Sequence, residues 1–159
     1  MILTKVNYNL NHIHKGMYCG LNLKPINDLY LRSVATTYGL DLYPEYAPHI
    51  TLIYDEVTDV TDSIFNNVRA YFEELSTRSL PSSRIECDSA IVFENPEMSH
   101  LVLPVSNSLP RIFNNKLIQA GLKHSFDEYT PHVTLTSHTD AEYLKQVAKI
   151  IASYKAVYE

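Results

Sequence analysis

The sequence predicts an α+β fold: two pseudo-symmetric α/β lobes whose antiparallel sheets face a central cleft. Two observations carry this expectation. Pro48-His49-Ile50-Thr51-Leu52 recurs, one residue exchanged, as Pro131-His132-Val133-Thr134-Leu135. Around each copy the hydrophobic pattern switches between strand and helix periods in one order: strand, helix, His-x-Thr strand, helix. Average residue usage places one such five-residue match in roughly one chain of this length in a thousand, and the interval from His49 to His132 is too long for a solenoid repeat. Duplicated lobes around one cleft account for both facts.

Taken in order, residues 1–15 show no period, and Asn9 to Lys15 reads as a polar loop holding His12 and His14. No carboxylate or cysteine cluster stands beside that His-x-His pair, so it is not taken as a metal site. Gly16 to Lys24 alternates, with Met17, Cys19, Leu21 and Leu23 on one face and Tyr18, Gly20, Asn22 and Lys24 on the other, which predicts a half-buried strand. Pro25 to Tyr38 has helical spacing through Ile26, Leu29, Tyr30 and Val34, with proline in the first turn and Gly39 at the end. A loop from Asp41 to Pro48 delivers the first motif strand. Thr61 to about Thr77 is a second helix with Thr61 as N-cap, buried through Ile64, Phe65, Val68, Phe72 and Leu75.

Ser79-Leu80-Pro81-Ser82-Ser83 marks the lobe boundary. The first lobe is placed at about 16–80 and the second at about 84–155, within a single domain spanning 1–159. Arg84 to Phe93 alternates again, Glu94-Asn95-Pro96-Glu97 turns the chain, and Met98 to Val105 returns as the second strand of a hairpin. Pro104 belongs at an edge or strand end. Ser108 to Ala120 is a helix buried through Ile112, Phe113 and Leu117 and stopped by Gly121. The last helix opens on Thr139-Asp140-Ala141-Glu142, a capping box, and buries Leu144, Val147, Ala148 and Ile151.

Bulk composition bounds the function. The chain has 159 residues, 45% of them apolar and 19% charged, enough for one domain with a proper core. The first eight residues lack a signal-peptide core and no stretch is long enough to span a membrane, so a cytoplasmic location is expected. Cys19 and Cys87 are too far apart for a zinc knuckle or CxxC pair and read as small core residues. A formal net charge of −5 speaks against a long nucleic-acid partner, which requires a clustered basic surface. A small nucleotide needs only a few local cations and hydroxyls.

Strand geometry puts His49 and Thr51 on one face, with Ile50 and Leu52 opposite; His132 and Thr134 repeat the arrangement. An imidazole titrates near pH 6.5, so a facing pair holds one neutral and one protonated ring together near neutrality, a base and an acid. Cleaving a ribose-linked phosphodiester needs both, one taking the proton of the attacking sugar hydroxyl and one protonating the departing oxygen. Threonine hydroxyls suit the non-bridging oxygens, where charge grows. No HExxH, acidic cluster, nucleophile elbow or Gly-rich phosphate loop is present, and no metal or cofactor is expected.

With both motifs intact, the chain resembles the two-histidine (2H) phosphoesterases of LigT-like fold, whose signature is a pair of His-x-[Ser/Thr]-hydrophobic motifs on two pseudo-symmetric lobes. Within that family it is most similar to the viral anti-CBASS nucleases, phage proteins that degrade the cyclic di- and trinucleotide signals of a bacterial defence system. The resemblance implies hydrolysis of 3′–5′ bonds in cyclic nucleotides in a host cytoplasm, with His49 and His132 catalytic and Thr51 and Thr134 binding phosphate.

Twelve tyrosines and no tryptophan leave stacking on the bases to Tyr or Phe. Tyr18, Tyr43, Tyr46 and Tyr129 are candidates, and Lys24 and Lys123 are placed to hold a second phosphate. Core packing for the tyrosines and plain solvation for the lysines are the competing readings. Two other functions remain open: action on RNA 2′,3′-cyclic phosphate ends or 2′–5′ linkages, and sequestration of a cyclic nucleotide without cleavage. His100, His124 and His138 have no partner motif and are assigned structural roles. Oligomeric state is not expressed in the sequence.

Overall fold

A computed structural model describes residues 8–13, 16–44, 47–77, 84–125 and 128–159. In chain order its elements are β1 (Tyr8–Ile13), β2 (Gly16–Asn22), α1 (Leu29–Thr37), β3 (His49–Asp55), α2 (Asp62–Thr77) and β4 (Ile85–Cys87). They continue with β5 (Ile91–Phe93), β6 (Ser99–Pro104), α3 (Leu109–Gln119), β7 (His132–His138), α4 (Ala141–Ile150) and β8 (Ala156–Tyr158). The fold is α+β, and the strand pairings resolved in register are antiparallel.

The chain forms two compact units. The first takes its described residues from Met1–Asn22, Ile50–Ser83 and Ser108–Pro131; the second takes them from Leu23–His49, Arg84–Asn107 and His132–Glu159. Each unit is therefore assembled from three segments, whereas the hydrophobic pattern predicts contiguous lobes at about 16–80 and 84–155. Helix α1, which follows β2, belongs to the second unit, and α3, which follows β6, to the first. The expected boundary at Ser79–Ser83 lies outside the described residues.

In the first unit the sheet order is β1-β2-β3. Of the stretch read as a polar loop, His14 and Lys15 lie outside the described residues, and Asn9 to Ile13 belongs to the strand β1, paired with β2 from Tyr8↔Leu21 to Ile13↔Gly16. Its partner, two residues further along the chain, supplies the order that its own composition does not. As the alternation predicted, Met17, Cys19 and Leu21 of β2 are buried, with Ile50, Leu52 and Ile53 of β3. Val68, Phe72 and Leu75 of α2 and Phe113 and Leu117 of α3 complete this core. Thr61 caps α2, its Oγ1 accepting from the Ile64 amide at 3.2 Å. On α3, Phe113 and Leu117 are buried as expected, but Ile112 is 50% exposed and Asn114 is buried instead.

In the second unit β5, β6 and β7 form one sheet, and β4 pairs with β8 in another. The segment read as one strand from Arg84 to Phe93 is two short strands. β4 pairs with the C-terminal β8 through Ile85↔Tyr158 and Cys87↔Ala156, and β5 makes the expected hairpin with β6. Pro104 ends β6, where a missing amide costs least. Asp140 caps α4, accepting from the Glu142 and Tyr143 amides, and Leu144, Val147, Ala148 and Ile151 are buried as expected.

Helix α1 starts four residues later than its spacing suggested, because the C-terminal strand holds residues 24–26 extended. The Lys24 and Glu159 amides exchange hydrogen bonds with each other's carbonyls, at 2.8 and 2.9 Å, and the Ile26 amide donates to the Val157 carbonyl. The buried side of the helix is consequently Leu31, Val34 and Ala35, while Leu29 is 83% exposed. Gly39, at φ 66°, ends the helix in the left-handed conformation glycine tolerates. Both cysteines are free and buried, and burial pushes each thiol up to about 12. Among the described residues no helix is long and apolar enough to cross a membrane.

Candidate active site

The two motif strands show the same burial in their first six positions. His49 and Thr51 of β3 and His132 and Thr134 of β7 are half-buried, while Ile50, Leu52, Val133 and Leu135 are buried. Alternation then breaks in both strands, since Ile53 and Thr136 are buried directly after the motif leucine. In β7 the cause is visible. The register against β6 shifts between Leu101, opposite Thr136, and Val102, opposite Thr134, which leaves Leu135 as an extra residue in the ladder. Thus the chain presents an imidazole and a hydroxyl from one strand face, anchored by apolar side chains from the other.

His49 is oriented locally. Its Nδ1 lies 3.0 Å from the Ala47 carbonyl, which can only accept, so Nδ1 carries the proton and Nε2 the lone pair of the neutral ring. Phe93 of β5 packs against the His132 ring, edge-on at 4.8 Å between ring centroids and 74°. On β6, between β5 and β7, His100 Nδ1 and Ser137 Oγ of β7 are hydrogen-bonded at 2.6 Å.

β3 is held by residues from α3 and from the segment that leads into β7. Asn114 Nδ2 donates to the Leu52 carbonyl at 2.6 Å, and the Tyr129 hydroxyl donates to the Thr51 carbonyl at 2.9 Å. His124 Nδ1 accepts from the Tyr54 amide at 3.2 Å, and the Ser125 amide donates to the Tyr54 carbonyl. Buried Asp55 accepts from the Val57, Thr58 and Lys123 amides at 2.9, 2.9 and 2.7 Å. Burial alone raises the Asp55 pKa, but hydrogen bonds from the Thr58 side chain and these amides outweigh it and the net shift is downward.

β7 is braced in a corresponding way by the segment that leads into β3. The Tyr43 amide donates to the Leu135 carbonyl at 2.7 Å, and the Tyr43 and Tyr158 hydroxyls are 2.8 Å apart. Tyr43 sits at φ 53° with the Arg32 guanidinium 5.8 Å from its ring centre. Burial pushes its phenol up to about 12.

A family model for the 2′-5′ RNA ligase superfamily matches residues 24–158, a span that contains both motif strands. The chain belongs to the 2′-5′ RNA ligase superfamily. These are LigT-like two-histidine phosphoesterases, which places the chain among hydrolases and agrees with the α+β architecture. No curated protein matches it.

Against this superfamily background the remaining candidates separate by place. Tyr18 is half-buried on β2 in the first unit and close enough to Tyr129 to raise that phenol's pKa further. Lys24 and Lys123 have exposed side chains, and their backbones are tied to Glu159 and Asp55. Tyr46 lies outside the described residues. Tyr43 and Tyr129 are already engaged in bracing the motif strands. His138 Nδ1 accepts from the Asp140 amide at 2.9 Å, next to the cap of α4. Sequence reasoning missed Phe93, Asn114, Arg111 and Asp55. A lone aromatic, amide or carboxylate far along the chain from its partner leaves no periodic trace, so no local signal pointed to them. Among the described residues no three of His, Cys, Asp and Glu gather as a metal-holding group.

Proposed function

We propose that this chain is a metal-independent phosphodiesterase that hydrolyses 3′–5′ bonds of cyclic di- and trinucleotides, the activity by which a phage escapes CBASS signalling in the host cytoplasm. The observation that carries the reading is the duplicated strand: two His-x-Thr segments with matching burial, each presenting a half-exposed imidazole and hydroxyl.

In this mechanism one imidazole takes the proton from a ribose 2′-hydroxyl as that oxygen bonds to phosphorus. The other gives a proton to the departing 5′-oxygen as the P–O bond breaks. The product end is a 2′,3′-cyclic phosphate, which the same pair opens with water in exchanged roles: the imidazole left neutral by the first step takes a proton from the water, and the one left protonated gives its proton to the 2′-oxygen. Thr51 and Thr134 donate to the non-bridging oxygens, where negative charge accumulates. Tyr18 is the candidate for stacking on a base and Lys24 for a second phosphate. A net charge of −5 favours a small ligand over a long nucleic acid.

A second substrate class has support of its own. The superfamily is named for 2′–5′ RNA linkages, and the same acid, base and hydroxyls act equally well on an RNA 2′,3′-cyclic phosphate end. Incubation in excess EDTA with 3′,3′-cGAMP, cyclic tri-adenylate and a tRNA ending in a 2′,3′-cyclic phosphate separates the two. Linear products from the cyclic nucleotides support the first reading, and action on the tRNA alone transfers the site to RNA processing. Turnover that is present without EDTA and lost in its presence overturns metal independence, and recovery of every ligand unaltered under both conditions leaves a sequestering protein.

A further inference from the structure

We propose that Tyr129 is a positioning residue of the first motif, holding the Thr51 peptide so that the Thr51 hydroxyl is aimed at a phosphate oxygen. The inference rests on the phosphodiesterase reading above and changes the place of Tyr129 in it, from a base-stacking group to one that acts through Thr51.

The bond is specific. Tyr129 Oη donates to the carbonyl of Thr51 itself at 2.9 Å, across 78 residues of chain. A side chain's direction follows from its backbone, so a donor fixed on that carbonyl sets where the threonine hydroxyl points. The tyrosine is held in turn. Arg111 Nη1 donates to its carbonyl at 3.1 Å, the Arg111 guanidinium lies 6.0 Å from the ring centre, and the His124 ring meets it edge-on at 5.3 Å. A ring occupied in this way is poorly suited to receive a nucleobase, and a hydroxyl so locked is well suited to fix geometry, because a site works only when the groups behind it are themselves rigid. Burial, partly offset by Arg111, drives the phenol pKa upward, so the hydroxyl stays a donor across the working pH range.

The test is Tyr129→Phe, which removes one oxygen and keeps the ring. With the cyclic substrate that the wild type cleaves, kcat is expected to fall about tenfold, the equivalent of one neutral hydrogen bond, with KM little changed and the melting temperature lowered only modestly, because the Thr51 carbonyl is part-buried and open to water where that of Leu52 is buried. A second readout does not depend on turnover: titration of labelled protein with inorganic phosphate, following the Thr51 and Thr134 amides by NMR. The wild type should respond at both, and in the variant the Thr51 response should weaken while that of Thr134 holds. Unchanged kcat overturns the proposal. So does a Thr51 response that persists in the variant, is missing from the wild type, or weakens together with that of Thr134 and the melting temperature, as general loosening would produce. A wild type that cleaves none of the substrates above refutes the phosphodiesterase reading instead, and the phosphate titration still decides the role of Tyr129.

Discussion

Asn114 on α3 donates from Nδ2 to the carbonyl of Leu52 on β3 at 2.6 Å, and Asn114 is only 4% exposed. An amide at this depth stabilises only while it is paired, since the carbonyl it serves is as far from water as itself.

Asn114→Leu fills similar volume and leaves the Leu52 carbonyl without its donor. Stability is expected to drop by ~1–3 kcal/mol, read as a lower urea midpoint with an unchanged slope. An unaltered midpoint would show that the bond contributes nothing net.

Gly16 on β2 has no room for a side chain. A Cβ there would lie 1.5 Å from the Asp55 carbonyl oxygen and 2.3 Å from its carbon, and both are backbone atoms that move only with β3. Gly16→Ala should therefore cost at least the ~1–3 kcal/mol of ordinary overpacking. Thermal melting checks this, and a variant as stable as the wild type would mean the two strands shift apart freely.

His49 and His132 are half-buried, so replacing either with alanine removes little core. Each change is expected to reduce turnover by at least the ~10²-fold that accompanies loss of a general acid or base, with the far-ultraviolet circular dichroism kept. Near-normal activity in one variant would remove that histidine from the mechanism.

His124 gives a pH dependence of stability. Burial lowers its pKa, with Asp55 pulling the other way, and its Nδ1 accepts the Tyr54 amide only while neutral. The folded protein therefore binds fewer protons than the unfolded chain just below the ordinary histidine value of ~6.5. This stabilisation is complete above that pH and is lost as pH falls through the lowered folded value. His124→Gln should flatten the stability profile between about pH 5 and 7, and an identical profile would place the proton elsewhere.

At more acid pH Asp55 takes over. Its folded pKa lies below the ordinary value because the amides and Thr58 favour the carboxylate. The stability it contributes is present above the unfolded value of ~3.9 and disappears as pH falls through the folded one. Asp55→Asn should lower stability at neutral pH and weaken the remaining acid dependence, as urea midpoints at pH 3 and pH 7 will show.

What the sequence determined by itself was whatever a short stretch dictates about its own faces. The alternation of β2, the amphipathic stripes of α2 and α4, the Thr61 cap and the two His-x-Thr strands were all legible, because strand and helix periods are written into consecutive residues. Tertiary structure decided what covers each face. The C-terminal strand, unremarkable in composition, holds Lys24 to Ile26 extended and so moves the start of α1 and exposes Leu29. β1 exists through its pairing with β2, and β4 through its pairing with a strand some seventy residues later. Tyr129 reaches Thr51, and Phe93 meets His132, by the same long-range route. A period in the sequence says which side chains share a face, but the free energy of burying that face or pairing that edge belongs to a partner elsewhere in the chain, and only the folded chain brings that partner near.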